Sequence, residues 1–376
     1  MTLQQQHIVK SDPLNPKIEY EDTYAKDSLS EVSPADVDIS SNYVSLSHLF
    51  DKLRGGEINL ETAFQRNNIW NKGQQSRLIE SILVRIPIPA FYFDGRDDRN
   101  WLIIDGQQRI ATFYNFIIQK KLKLENLEYL PQFNGSTFDD LPRDLQRRLL
   151  ETEVPVFLVN PGTPKDVIFN IFQRINTGGI SLKPQEIRNA LNHGTPADLM
   201  IKKLAKSKAF KHVTGEAVSS ERMEDQYIIT RFLAFYLTEY QDYTPELEKF
   251  LNVNITKFNE LSEVERGEIE TQFIKAMNTS WEIFKDDAFR KRFNLDDTRN
   301  PFNKALFEAW AVNLARLNDK ETQKVIQRKE VLNDIFIDEL NSDKNFLKSV
   351  SSGTGDTKNV KKRFKTIHQI IQQAIQ

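Results

Sequence analysis

The sequence of 376 residues contains no cysteine, which excludes disulfide bonds, thiolate metal sites and a cysteine nucleophile. Its five histidines are scattered, and their spacing matches neither a zinc site nor a histidine-metal nuclease. The chain also lacks a basic segment followed by an apolar one at its start, and it has no long uncharged apolar run. These absences predict a cytoplasmic protein without a membrane partner.

A strong excess of charge of either sign is missing as well, because 51 lysines and arginines stand against 53 aspartates and glutamates. Overall electrostatics therefore give no general indication of nucleic-acid binding, and any contact with DNA has to be local. The chain is long enough for two packed domains, each with its own core.

The first region, residues 1–40, is polar, and acidic residues outnumber basic ones over most of it. So little apolar surface does not offset the entropy lost on ordering, and we expect a mobile arm. The alternative is a segment that packs along the surface through Ile18, Tyr20 and Tyr24. We expect regular structure to begin near Val44.

Two further regions differ in their hydrophobic periodicity. Residues 41–195 combine short apolar runs, typical of strands, with helical periods, whereas residues 196–376 show helical periods almost throughout. The predicted fold class is an α+β N-terminal domain followed by an all-α C-terminal domain. Residues 351–355, of sequence Ser-Ser-Gly-Thr-Gly, predict a flexible link to the last helix.

The stretch Trp101–Phe116 predicts a strand, a tight turn and a helix. Its apolar run ends at Asp105–Gly106, and the first helical turn that follows carries Gln107, Gln108 and Arg109. Free backbone N–H groups and the helix dipole favour an anion there, so the corner is suited to phosphate. The alternative is that Asp-Gly is only turn chemistry, with exposed helix formers after it.

Two other segments place polar side chains beside aromatic ones. Gln65 and Arg66 follow Phe64, and Arg174 and Asn176 lie at the end of a predicted helix, before two glycines. The aromatic ring is more often a core residue than a stacking platform, and the polar groups are equally compatible with a solvated face. The glycine pair either caps the helix or lets the backbone approach a ligand.

A family resemblance rests on four segments taken together, namely FQRNNIW at Phe64–Trp70, LIESILVRIPIPAFYF at Leu78–Phe93, IIDGQQR at Ile103–Arg109 and FQRINTGGISL at Phe172–Leu182. In order and approximate spacing they resemble the N-terminal domain of the GmrSD type of restriction endonuclease, also called domain of unknown function 262. That family is related to the ParB and sulfiredoxin fold, so the resemblance implies such a fold for residues 41–195.

The resemblance also implies a nucleoside-triphosphate pocket centred on Asp105–Arg109, with Mg²⁺ or another divalent cation as cofactor. Carried over, Arg109 would clamp phosphate, while Gln107 and Gln108 would hydrogen-bond it or orient a water. Asp105 would hold the metal or polarise the attacking water. The nucleotide-binding set implied by the family comprises Gln65, Arg66, Gly106, Arg109, Arg174 and Asn176.

Three functions follow as hypotheses. The first is nucleoside-triphosphate hydrolysis in bacterial defence against phage or foreign DNA, where positioning and electrostatics do most of the work. The second is a nucleotide-gated switch, as in ParB clamps, that binds DNA or a partner with little turnover. The third is a DNA-nicking nuclease that uses the same pocket, with Glu80 as the nearest candidate to join Asp105 at a metal.

Two-part members of the family carry an additional HNH nuclease module, which needs histidine and asparagine ligands around a metal. The C-terminal region offers only His368, so we expect no such module in this sequence. The expected partners are therefore a nucleoside triphosphate, DNA, and either a second copy of the chain or a separately encoded nuclease.

A basic run marks the start of the last predicted helix. Lys361, Lys362 and Arg363 are candidates for contact with a DNA backbone, since clustered cations bind DNA without reading its sequence. The alternative is one solvated helix face, which we favour because the overall charge does not support a DNA-binding surface.

Overall fold

The computed structural model describes Ile18–Glu19, Glu21 and residues 38–59, 70–97, 99–175, 183–215, 217–296 and 299–376, apart from the side chains of residues 165, 166, 173, 174 and 221. The described residues form two compact units that divide in sequence between Leu191 and Asn192. Ile18, Glu19 and Glu21 belong to the second unit. The remainder of the predicted arm, up to residue 37, lies outside the described residues.

The first unit is built on a mixed sheet. Its strands are β1 (Ile39–Ser45), β2 (Ile58–Asn59), β3 (Phe91–Asp94), β4 (Trp101–Asp105) and β5 (Glu153–Val159). They lie in the order β1-β5-β3-β4-β2. β3 is antiparallel to β4 and parallel to β5, while β1 is antiparallel to β5 and β2 parallel to β4. The central position of β3 and β4 agrees with their apolar sequences.

Helices cover both faces of this sheet. They are α1 (Leu46–Arg54), α2 (Lys72–Leu83), α3 (Gln107–Phe113), α4 (Arg143–Glu151), α5 (Lys165–Ile175) and α6 (Pro184–Leu191), with α3 continuing as a π-helical turn, Tyr114–Ile118. Ile103 of β4 packs in the cluster formed with α1 to α4, and Ile104 packs in the cluster formed with α5 and α6. Successive residues of a strand point to opposite faces, so β4 is buried on both sides.

The sheet begins earlier than the sequence predicts. β1 starts at Ile39, inside the predicted arm, and pairs with β5 from Ile39 opposite Val159 to Ser45 opposite Glu153. Most of its side chains are exposed or half-buried, so the strand is held by backbone pairing rather than by an apolar face. A polar edge strand of this kind has no hydrophobic period to reveal it. Helix α4 is not among the elements predicted from the sequence, and in it charged and polar residues surround the leucines Leu145, Leu149 and Leu150.

The second unit is helical, which confirms the predicted all-α region. Its helices are α7 (Pro196–Ala205), α8 (Lys208–Thr214), α9 (Glu224–Leu237), α10 (Leu247–Glu260), α11 (Glu263–Phe284), α12 (Lys304–Ala315), α13 (Asp319–Gln327), α14 (Lys329–Ser342), α15 (Lys344–Ser349) and α16 (Thr357–Ile375). Every residue of α12 from Ala305 to Ala315 is buried, so this helix is the centre of the unit. None of the described helices is long and apolar enough to cross a membrane.

The flexible link predicted at residues 351–355 is wrong. Thr354 is 1 % exposed, and its backbone carbonyl accepts a hydrogen bond of 2.8 Å from Nη1 of Arg363. The carbonyl of Gly355 accepts one of 2.7 Å from the Tyr243 hydroxyl. Tyr243 lies between α9 and α10, and Arg363 lies in α16, so the Ser-Gly composition of the segment does not reveal either partner. Their hydrogen bonds fix the segment in the core.

Candidate functional site

The corner between β4 and α3 depends on Gly106. This residue adopts φ +102° and ψ 7°, in a region that residues with a side chain rarely enter. A Cβ atom at this position would also lie 2.4 Å from Cδ1 of the buried Phe91 ring. Glycine is therefore required both by conformation and by space, and the tight turn brings Asp105 beside the first turn of the helix.

Arg109 stabilises this corner through hydrogen bonds to three acceptors. Its Nη2 donates to Oδ2 of Asp105 at 2.7 Å and to the carbonyl of Ala90 at 3.1 Å, and its Nη1 donates to the carbonyl of Pro89. The guanidinium lies 4.6 Å from the centre of the Phe91 ring. Burial lowers the pKa of Arg109, and the Asp105 carboxylate opposes this shift. Arg109 thus links the helix, the end of β4 and the segment that enters β3.

These contacts bear on the role predicted for Arg109. The residue is only 7 % exposed, so its side chain meets a phosphate directly only if one of these hydrogen bonds opens. The Asp105 side chain is 32 % exposed and is the accessible charge at the corner. In this conformation Asp105 faces solvent and Arg109 positions it.

Gln107 and Gln108 have hydrogen-bonding capacity that the described part of the chain does not use. Gln107 is 8 % exposed; its Nε2 makes a long bond of 3.4 Å to the carbonyl of Ile103, and its Oε1 has no partner among the described residues. Gln108 Oε1 accepts from the Trp70 N–H at 3.5 Å, and its buried Nε2 is likewise without a partner there. Most buried polar atoms are hydrogen-bonded, so these two amide atoms in one helical turn are free to bond a water or a ligand.

The corner offers one carboxylate to a metal ion. Mg²⁺ at nucleotide sites is held by one or two carboxylates together with substrate phosphates, so Asp105 fits as a single protein ligand of a phosphate-bound cation. Glu80 does not supply a second, because its carboxylate accepts the N–H groups of Glu128, Tyr129 and Leu130 at 3.1, 2.7 and 2.8 Å. The described residues contain no cluster of three or more histidine or acidic side chains able to hold a metal.

The side chains of the remaining predicted nucleotide contacts are not among those that the structure describes. Gln65, Arg66 and Asn176 lie outside the described residues. Arg174 lies in α5, near its C-terminal end, and its side chain is not among those described. Their roles stay predictions.

The predicted DNA contact at Arg363 is wrong for this conformation. Arg363 is 0 % exposed, and its Nε donates to Glu308 at 2.8 Å inside the helical core. Lys362 is half-buried and pairs with Asp343 at 2.5 Å. Lys361 is exposed and remains the only one of the three with a solvent-facing charge in the described structure. The basic run is thus divided between a buried and an exposed face of one helix.

Sequence reasoning missed a polar face on α6. Gln185, Arg188 and Asn189 are buried. Arg188 Nη1 donates a hydrogen bond of 2.6 Å to Gln185 Oε1, and Gln185 Nε2 donates one of 2.8 Å to Asn189 Oδ1. The Arg188 guanidinium lies 5.6 Å from the Phe169 ring. Ile187, on the same helix, shares a cluster with Ile104 of β4, the strand that ends at the corner. Only the topology shows that this short helix is buried on its polar side.

Comparison with known proteins bears on the first unit. Residues 46–192 match the family model of the GmrSD restriction endonuclease, N-terminal domain. This match confirms the family resemblance that the four sequence segments predict. Neither a comparison with curated proteins nor one with solved structures found a match, so the relation to the ParB and sulfiredoxin fold stays a prediction.

Proposed function

We propose, from the premise that residues 46–192 are a GmrSD-type N-terminal domain, that the chain is a restriction- or defence-related module that binds and hydrolyses a nucleoside triphosphate. The proposed site is the corner Asp105–Arg109. The observation that carries this proposal is the pair of unpaired buried amide atoms, Gln107 Oε1 and Gln108 Nε2, within one turn of the half-exposed Asp105 carboxylate. A ParB- or sulfiredoxin-like fold for this unit is part of the proposal.

The chain's own groups act on a bound phosphate in distinct ways. The Gln108 amide and the free N–H groups of the first turn of α3 donate to phosphate oxygens. The Gln107 carbonyl accepts from an attacking water, which Asp105 polarises while Arg109 holds its carboxylate in place. A Mg²⁺ ion brought by the nucleotide would be held by Asp105 and would neutralise phosphate charge.

The test is calorimetric titration of ATP and GTP with Mg²⁺ into the full-length protein, with phosphate release followed in the same samples. Asp105→Asn and Gln107→Leu are expected to slow release by at least roughly 100-fold, as for loss of one transition-state contact. Gln119→Leu is the matched control, since Gln119 is exposed just beyond the π-helical turn that continues α3. If all three variants release phosphate at the wild-type rate, the proposal fails.

A second function, a nucleotide-gated switch, is favoured by one observation. Arg109 donates hydrogen bonds to Asp105 and to the carbonyls of Pro89 and Ala90, which directly precede β3. A phosphate that competes for its guanidinium would weaken these bonds and so free the segment before β3. The switch predicts tight nucleotide binding, negligible release and faster hydrogen exchange at residues 86–91. DNA nicking ranks behind both, because Glu80 is bonded to backbone N–H groups and the described residues hold no group of three or more histidine or acidic side chains for a metal.

A further inference from the structure

The helical unit contains a row of buried charged side chains to which its helices supply more cations than anions. Arg231 of α9, Glu308 of α12 and Arg363 of α16 are each 0 % exposed. Glu308 accepts from Arg231 Nε at 2.6 Å and from Arg363 Nε at 2.8 Å. Two guanidinium groups thus share one carboxylate. An uncompensated buried charge is strongly destabilising, so this core requires a further anion.

Glu21 supplies that anion from a point 210 positions earlier in the chain than Arg231. Its carboxylate accepts hydrogen bonds from both terminal nitrogens of Arg231, the one from Nη2 to Oε1 being 2.8 Å long. It also accepts a hydrogen bond of 2.6 Å from the Thr354 hydroxyl. The Glu21 side chain is 8 % exposed. Burial alone would raise its pKa, but Arg231 lowers the pKa of Glu21 to about 2, so the group is ionised at neutral pH.

Glu19 occupies a second cationic subsite beside the first. Its carboxylate accepts from Lys291 Nζ at 2.5 Å and from Asn303 Nδ2 at 2.8 Å. The backbone of the same segment pairs like a strand, since the Glu19 N–H donates to the carbonyl of Phe302 at 2.8 Å and Ile18 forms a parallel bridge to Phe302. Backbone pairing combined with side-chain subsites is how β-strand addition recognises a peptide.

We infer that the helical unit contains a binding site for an extended diacidic peptide, whose subsites Ile18, Glu19 and Glu21 of the chain itself fill in cis. Residues i and i+2 of an extended chain point to the same side, so two glutamates with this spacing meet both subsites together. The ligand class is an acidic peptide with the pattern Ile-Glu-x-Glu, and a segment of that type from a second polypeptide can exchange with the arm. This inference is independent of the proposed nucleotide site.

The recognition is set by charge as well as by shape. Arg231 has no anionic partner other than Glu308 and Glu21 among the described residues, and Thr354, which donates to Glu21, is itself held by Arg363 through its carbonyl. A neutral peptide would leave the guanidinium of Arg231 half-neutralised. A single free anion would fill this subsite but leave Lys291 and the Phe302 carbonyl unused.

The experiment uses a fluorescein-labelled peptide of residues 12–27 and the full-length protein, with binding followed by fluorescence anisotropy. In wild type the arm of the same chain competes with the labelled peptide, because its tether raises its effective concentration at the site. In the Glu19→Gln/Glu21→Gln protein this competitor is weakened, so the peptide should bind at least about tenfold more tightly than to wild type. A matched control, Glu330→Gln/Asp338→Asn, removes two exposed charges from α14 and should behave as wild type.

Three outcomes would overturn the inference. They are equal peptide affinity for wild type and the double variant, unchanged affinity of a peptide in which both glutamates are glutamine, and displacement of the peptide by inorganic phosphate at concentrations as low as those of unlabelled peptide. The last result would show a lone-anion site. Should the double variant not fold, Glu19→Gln alone carries the same comparison, because its partner Lys291 lies nearer the surface, at 12 % exposure.

Discussion

Two buried guanidinium groups in this protein sit in opposite environments. Arg109, in the α/β unit, has one half-exposed carboxylate and two carbonyls as partners, and burial lowers its pKa. Arg231, in the helical unit, lies between two carboxylates; burial alone would lower its pKa, but Glu21 and Glu308 raise it well above the usual value. The first group therefore has a single anion that is partly open to solvent, whereas the second lies between two buried anions.

This difference separates the part of the molecule suited to bind a charged ligand from the part that holds the fold together. At the corner, one turn of helix retains two unpaired amide atoms next to an accessible carboxylate. In the helical core, the chain Glu21, Arg231, Glu308 and Arg363 alternates in sign and ends in backbone carbonyls. Unpaired buried atoms also occur in the helical unit, at Asp198 and Thr366 for example, but at the corner two of them adjoin an accessible carboxylate, which favours the corner.

The largest effect is expected from breaking the network of buried charges in the helical unit. Arg363→Ala leaves Glu308 with one cation and should lower the free energy of unfolding by about 3–5 kcal/mol. Lys361→Ala, two residues away on the exposed face of α16, should change it by less than about 0.5 kcal/mol. Urea unfolding with hydrogen exchange resolved on peptides of the helical unit measures both. Equal losses would mean that the network contributes no more than a surface charge.

The same network should respond to acid. The folded pKa of Glu21, about 2, lies below its ordinary value of 4.5, so its contribution is full above pH 4.5 and is lost as pH falls towards 2. The charged groups facing it are Arg231, Lys304 and, beyond Arg231, Glu308. The shift corresponds to about 3 kcal/mol.

We therefore expect the stability difference between wild type and Glu21→Gln to shrink by about that amount between neutral pH and pH 2. Urea unfolding at a series of pH values gives this difference directly. A difference that stays constant over the whole range would show that Glu21 is not held as a buried ion.

At the corner, the turn itself can be tested. Gly106→Ala combines a backbone strain at positive φ with a clash against Phe91, and should cost about 2–3 kcal/mol. Gly135→Ala shares the positive φ, +86°, but its Cβ would meet nothing within 4 Å, so about 1 kcal/mol is expected. Thermal unfolding of both variants isolates the steric part. Similar losses of stability in the two variants would show that the contact with Phe91 adds no cost at Gly106.

Much of the fold and the place of the corner follow from local sequence pattern. The apolar run before Asp105 and the helical period after it predict β4, the turn and α3, because each depends on residues a few positions apart. The partners of the charged groups do not follow in this way. Arg109 reaches a carbonyl 20 positions back, and Arg231 reaches a glutamate 210 positions back.

The burial of Arg363 follows from the local sequence pattern, but its partner does not. The neighbours of Arg363 in the sequence are lysines, so the run by itself predicts either a DNA contact or one solvated helix face. In α16 the buried positions Val360, Phe364 and Ile367 form an apolar stripe, and Arg363 falls within it. The helical period therefore contained the signal that this arginine is internal, although only the fold identifies Glu308 as the reason.

The smallest effect on stability is expected where the effect on function should be greatest. Gln107→Leu removes an unpaired buried oxygen and one long hydrogen bond of 3.4 Å, and replaces them with an apolar group of similar size. Since leaving a buried polar atom unpaired is unfavourable, stability should stay within about 1 kcal/mol of wild type or rise. Phosphate release, measured on the same samples, should slow by at least roughly 100-fold, because the attacking water loses the Gln107 oxygen that orients it. A variant that loses stability but keeps its rate of phosphate release would place Gln107 with Arg109 among the residues that only support the corner.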